Sequence, residues 1–138
     1  IDVNKSFRFS SHQSENAILQ FIIACIEQVK DEFTIAIAIG VPCIVDIKNG
    51  IVFDTLNIPA WKKYDLKAAL AAHYNLDIYI NNDVNCFIAG EYMAGQAKKF
   101  TDSVGICLGT GFGAGFLSII NSMQDTIAVQ AKWAVLVI

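Results

Sequence analysis

"LDIYINNDVNCFIAGEYMAG", residues 76–95, is the stretch on which the fold turns. "DIYI" reads as a short strand, "NND" breaks it, and "VNCFIAGEYMAGQA" resumes at helical spacing, with Gly90 and Gly95 weakening the helix interior. Ligands of open α/β sheets bind outside the carboxyl ends of strands, so the break is where a site is expected. Asp83 can accept a proton from a hydroxyl, and Asn81 and Asn82 offer amides that suit sugar hydroxyls. A local alternative exists: Asn82 or Asp83 simply caps the following helix. On these residues alone, capping is the stronger reading.

Upstream, "SENAILQFIIACIEQVKD" predicts a helix whose Ile18, Phe21, Ile22, Cys25, Ile26 and Val29 form one apolar stripe. Ser14 is its expected N-cap, and Lys30 suits the negative pole of its dipole. "FTIAIAIG" predicts a strand buried on both faces and ended by Gly40 and Pro42. "CIVDI" and "GIVFD" flank Lys48-Asn49-Gly50, a hairpin signal. "DLKAALAAHYN" predicts a second helix capped by Asp65 and stopped at Asn75, with Leu66, Ala69, Leu70 and His73 on one side. Elements alternating in this way indicate an α/β fold, a sheet with helices packed on it. The polar stretch "QAKKFTD", residues 96–102, is the expected boundary between a part at 1–100 and a part beginning at 101.

Downstream, "GICLGTGFGAGF" places Gly105, Gly109, Gly111, Gly113 and Gly115 between two strand-like runs. Glycine weakens a strand, so the series needs a reason. One glycine would serve a tight hairpin. Amides that lack neighbouring Cβ atoms can close around an anion, and Thr110 adds a hydroxyl donor. Phosphate binding is therefore the favoured reading. The stretch lacks the GK[ST] of a Walker A loop, and a dinucleotide fingerprint would be followed by a helix rather than a strand. "LNIPAW", residues 56–61, is a loop whose Asn57 suits a polyol and whose Trp61 either closes over a sugar or pins the loop to the core.

The 138 residues fit one compact domain, 54% hydrophobic with 17% charged residues and a net charge of −3. No basic cluster supports a nucleic-acid groove or an anionic membrane surface. No apolar run reaches the roughly 18 residues of a spanning helix, and no secretory signal opens the chain. Cys25, Cys43, Cys86 and Cys107 lie apart among apolar residues, which reads as buried thiols in a reducing cytosol. His12 and His73 are isolated, so no zinc ligand set is visible. The chain starts at Ile1 and stops inside "WAVLVI", which reads as a piece of a larger protein.

Taken in order, these motifs resemble the ROK family of bacterial sugar kinases and sugar-responsive repressors. "IGVPCIVD" is similar to the family's I-G-V-P-G-P-V-D, "LNIPAW" to P-N-L-P-x-W, and "LDIYINNDVNCFIAGEYMAG" to P-V-x-V-E-N-D-A-N-x-x-A-x-x-E-x-x-x-G. "LGTGFGAG" is similar to the second phosphate loop, L-G-T-G-I-G-G-G. The resemblance implies an actin-like ATPase (ribonuclease H-like) fold with two lobes. Residues 1–100 would be part of an N-terminal sugar-binding lobe, and 101–138 the start of a nucleotide-binding lobe.

It further implies ATP-dependent phosphorylation of a hexose or N-acetylhexosamine. Asp83 would be the general base, with Asn57 and Asn82 as sugar ligands. The hairpin of Gly109, Thr110, Gly111, Gly113 and Gly115 would hold ATP phosphates, with Mg²⁺ bridging them. A homo-oligomer in the cytoplasm is implied, with no membrane and, for a kinase, no nucleic acid as partner. A structural Zn²⁺ would belong to family segments this chain does not contain.

Departures are visible. Cys43 and Ile44 replace a Gly-Pro, Ala60 replaces a Gly, and Leu56 a Pro. The D-x-G-G-T loop and the E-x-G-H segment are not in the chain, and the sequence after Gly115 leaves the family pattern. Two other readings are a sugar-responsive repressor of the same family, and a plain α/β subunit whose glycines serve hairpin geometry alone.

Overall fold

Helix α1 (Glu15–Glu27) begins where the Ser14 hydroxyl accepts from the Ala17 amide at 3.3 Å, a side-chain cap for one of the unpaired N–H groups of the first turn. The computed structural model describes residues 7, 8, 10, 13–53, 58–109 and 112–118. Contacts divide the chain into two compact units, 1–81 and 82–138. The division falls earlier than the polar stretch 96–102, so the third helix groups with the hairpin after it.

In the first unit, β1 (Ala36–Val41) pairs with β5 (Asp77–Asn82). β2 (Ile44–Asp46), β3 (Ile51–Phe53) and β4 (Lys63–Asp65) form an antiparallel meander. Helix α2 (Leu66–Ala71) follows β4 directly, and the Asp65 carboxylate accepts from the Ala68 amide at 2.9 Å as its N-cap. Ile18, Val52, Trp61, Leu66 and Leu70 are almost completely buried and anchor the core. Each large aliphatic among them contributes roughly 1.5–3 kcal/mol by leaving water.

Several expectations are corrected. β1 is buried on one face rather than two: Ile37 and Val41 face inward, while Ala36, Ala38 and Gly40 are exposed. The outward side chains are too small to bury much apolar area. Helix α1 stops at Glu27, so Lys30 lies beyond it and pairs with Glu27 at 3.0 Å instead of facing the dipole, and Val29 is exposed. Helix α2 ends at Ala71 rather than Asn75, which turns Tyr74 into the core and leaves His73 exposed. Of the four cysteines only Cys43 is buried; Cys25 and Cys107 are half-buried and Cys86 is exposed. His12 lies outside the described residues. Among the described residues no helix is long and apolar enough to cross a membrane.

The hairpin expected at Lys48-Asn49-Gly50 is present. Asp46 Oδ1 accepts from the Asn49 amide at 3.2 Å, its Oδ2 from Asn49 Nδ2 at 2.7 Å, and Gly50 adopts φ 71°. A Cβ at position 50 would also collide with the Lys67 side chain. Gly50→Ala should therefore destabilise by at least the roughly 1–3 kcal/mol of a strained backbone, read from urea unfolding midpoints.

The Tyr74 hydroxyl donates to Glu27 Oε1 at 3.0 Å, beneath the Lys30 ammonium 5.4 Å from the ring centroid. Burial, then the hydrogen bond to Glu27, pushes the phenol up to about 12. An unfolded tyrosine ionises near about 10, so the unfolded chain loses this proton first and stability falls as pH rises from there toward the folded value. Urea midpoints should drop across that alkaline window, and Tyr74→Phe should make the drop shallower.

Candidate functional site

The second unit is built from helix α3 (Asp83–Ala94), a 3₁₀ turn (Gln96–Lys99), and an antiparallel hairpin of β6 (Asp102–Leu108) and β7 (Phe112–Ser118). Asn82 ends β5 in extended conformation (φ −71°, ψ 144°) and caps α3. Its Oδ1 accepts from the amides of Val84 at 2.9 Å and Asn85 at 3.3 Å. Asp83 is the first helical residue; its exposed carboxylate accepts from the same Val84 amide at 2.9 Å. Negative charge is favourably placed at this end of a helix.

The capping alternative holds for Asn82. Asn82 is the cap, and that frees Asp83 to project from the first turn. One turn on, partial burial and then the Asp83 charge push the Cys86 thiol up, which disfavours a nucleophilic thiolate beside the carboxylate.

The hairpin register pairs Gly105 with Gly115, Cys107 with Gly113 and Leu108 with Phe112, and Gly109 follows the last paired residue of β6. Alternation sends Ser103, Gly105 and Cys107, with Gly113, Gly115 and Leu117, to one face. That face lies against α3. A Cβ at 113 would stand 2.7 Å from Val84 Cγ2, and one at 115 would stand 3.2 Å from Asn85 Oδ1 and 3.4 Å from Val84 Cγ1. The packing gives glycine at these two positions a reason that the sequence reading did not contain. Gly109 differs: among the described residues no atom lies within 4 Å of the space its Cβ would enter. The other hairpin face is apolar and exposed at Val104, Ile106, Leu108, Phe112 and Phe116.

Of the expected site residues, Asn82, Asp83, Gly113 and Gly115 are brought together through the first turn of α3, and Gly109 stands just past the end of β6. Asn57, Thr110 and Gly111 lie outside the described residues. Trp61, left open between core and sugar, is 1% exposed and stacked on Tyr64 with centroids 5.4 Å apart, so it belongs to the core. Asn85 was given no role from the sequence, yet it is completely buried where Gly115 approaches α3. Its signal is its own polarity, since burying an amide is costly unless it is hydrogen-bonded. Among the described residues no group of three or more His, Cys, Asp or Glu side chains is placed to hold a metal ion.

Comparison with known proteins gives one family. The ROK family model matches residues 2–124. An N-acetyl-D-glucosamine kinase of Salmonella newport (strain SL254) is 29% identical over 108 residues, which is 77% of this chain and 35% of that kinase. A ROK family glucokinase of Streptomyces griseus, solved in complex with glucose and AMPPNP, matches with a TM-score of 0.70 at 29% identity, covering 91% of this chain and 40% of that one. A ROK family transcriptional regulator, a homologue of the E. coli MLC protein, matches with a TM-score of 0.60 at 24% identity over 75% of this chain and 26% of that one, a likeness of fold.

Removing the cap should be felt directly. Asn82→Ala should cost about 0.5–2 kcal/mol of stability, as loss of an N-cap does, while Asn82→Ser should keep most of it, both read from thermal unfolding.

Proposed function

The chain belongs to the ROK family, and from that membership we propose that the protein is an ATP-dependent sugar kinase acting on a hydroxyl of a hexose or N-acetylhexosamine. Its fold is the actin-like ATPase fold of the ROK sugar kinases. The chain spans 35% of the kinase relative described above, so the proposal concerns the full-length protein. In this reading residues 1–100 belong to the sugar-binding lobe, and 101–138 open the nucleotide-binding lobe. A homo-oligomer in the cytoplasm belongs to the same reading.

One observation carries the proposal: an exposed carboxylate, Asp83, stands on the helix turn against which a glycine hairpin packs, within one compact unit. A carboxylate so placed can take the proton of a sugar hydroxyl as its oxygen attacks. Asn82 and Asn57 are the amide side chains on the sugar's side of this reading. Bound ATP, with Mg²⁺, provides the phosphoryl group. Gly109, Thr110 and Gly111, in the glycine-rich run of the hairpin, hold the phosphates through backbone amides and a hydroxyl, and Gly113 and Gly115 serve the same hairpin from its strand, where they face α3. Positioning and electrostatics carry most of the catalysis of such a transfer, with little covalent work left to the protein. The transcriptional regulator shares the fold and, at its level of identity, adds no functional argument.

Asp83→Asn is the decisive variant, because the amide oxygen can still accept from the Val84 amide while the base is gone. In full-length protein supplied with ATP and a hexose and N-acetylhexosamine panel, its turnover should fall by about 10²–10⁴-fold. Sugar binding, followed by calorimetry, should persist. Turnover close to wild type would remove Asp83 from this role.

A further inference from the structure

We infer that Gly113, supported by Gly115, is a positioning residue: the absence of its side chain sets the separation between the hairpin and the first turn of α3, and so sets where Asp83 stands. The inference rests on the kinase reading for its catalytic consequence, but not for its structural content.

The argument begins with what a methyl group would meet. At 113 it would stand 2.7 Å from Val84 Cγ2, well inside van der Waals contact. That atom has little freedom to move. Valine is branched at Cβ, so its χ1 is stiff and one γ carbon cannot turn away without moving the other. Val84 is also buried, so rotation would drive the displaced methyl into other packed atoms. The strain is relieved most readily by moving the helix turn away from β7.

Val84 is an unfavourable residue to move. Its amide is shared by Asn82 Oδ1 and Asp83 Oδ1, each at 2.9 Å. A shift of Val84 therefore pulls on the cap and on the base carboxylate at once. Gly115 adds a milder constraint on the same turn, at 3.2 Å from Asn85 Oδ1 and 3.4 Å from Val84 Cγ1. Gly109, with open space around it, has no part in this spacing. The glycines of the hairpin thus differ in kind: a side chain at 109 would meet open space among the described residues, whereas those in the strand let the helix that bears Asp83 approach.

The test compares Gly113→Ala, Gly115→Ala and the double variant Gly113→Ala/Val84→Ala in full-length protein. Gly113→Ala should lower kcat by about 10–100-fold, the scale of a misplacement near 1 Å, with the KM for ATP little changed. Gly115→Ala should act in the same direction and less. Truncating Val84 makes room for the new methyl, so the double variant should recover most of the lost kcat. A rise in the KM for ATP that Val84→Ala does not reverse would make Gly113 a phosphate contact and overturn the inference.

Hydrogen exchange provides a readout independent of activity. The Val84 and Asn85 amides should lose protection in Gly113→Ala and regain it in the double variant. Unchanged exchange in Gly113→Ala overturns the inference whatever the kinetics. Restored exchange in a protein that phosphorylates no sugar would leave the spacing intact and refute the kinase reading instead.

Discussion

The oxygen of the Asn82 side chain, shared between the amides of Val84 and Asn85, fixes where α3 begins. Without it, the Asn85 N–H at the mouth of a packed helix would need another partner, at a cost of about 1–3 kcal/mol if left unsatisfied, and the Val84 N–H would keep only the Asp83 carboxylate. With it, the chain passes from strand to helix in a single residue and Asp83 falls on the first turn. Register does the rest. Val84, Asn85 and Ile88 are buried, while Asp83 and Cys86 remain exposed. A helix that started one residue later would rotate this set by about 100° and turn a different group of side chains toward the hairpin.

The hairpin is shaped to receive that helix. Its inward positions are mostly small, with glycine at 105, 113 and 115 and Leu117 the large exception, so the backbone itself forms much of the contact surface. A ribbon with so little side chain on one face would be marginal as a free hairpin, since two-stranded ribbons depend on other elements for stability. Here α3 supplies the missing packing, and Ile88 faces Gly105 with a hypothetical Cβ only 3.1 Å away. Helix and hairpin therefore depend on one another.

Legibility in the sequence followed the range of the interaction. Caps are local, and Ser14, Asp65 and Asn82 could all be read from a polar residue ahead of an apolar period. The left-handed Gly50 was equally readable from Asn-Gly between two apolar runs. β4 was missed because Lys63-Tyr64-Asp65 shows no apolar run; it is a strand through pairing with β3. The one-sided burial of β1 was present in side-chain size, large at 37, 39 and 41 and small at 36, 38 and 40, but a count of apolar residues is blind to size. Tyr74 took the buried place expected of His73, because an aromatic ring with a carboxylate partner is cheaper to bury than an imidazole without one. The task of Gly113 and Gly115 was illegible in principle: the residue they make room for lies about thirty positions earlier, and only the fold brings it near.

That division bears on how a glycine-rich signature is interpreted. A motif records which residues occur together, and several physical requirements can be overlaid in a single run. In "LGTGFGAG" the first glycine lies just past the end of β6, where a Cβ would meet open space among the described residues, and the last two lie in a strand under a helix. Substitutions at the two ends therefore act through different forces. At 109, an added methyl meets open space among the described residues and any penalty arises through backbone freedom or a ligand. In the strand, it meets a β-branched side chain on a capped helix, and the penalty is steric before any ligand arrives. A catalytic site for phosphoryl transfer needs both, because an anion held well contributes little if the group that takes the proton is held loosely.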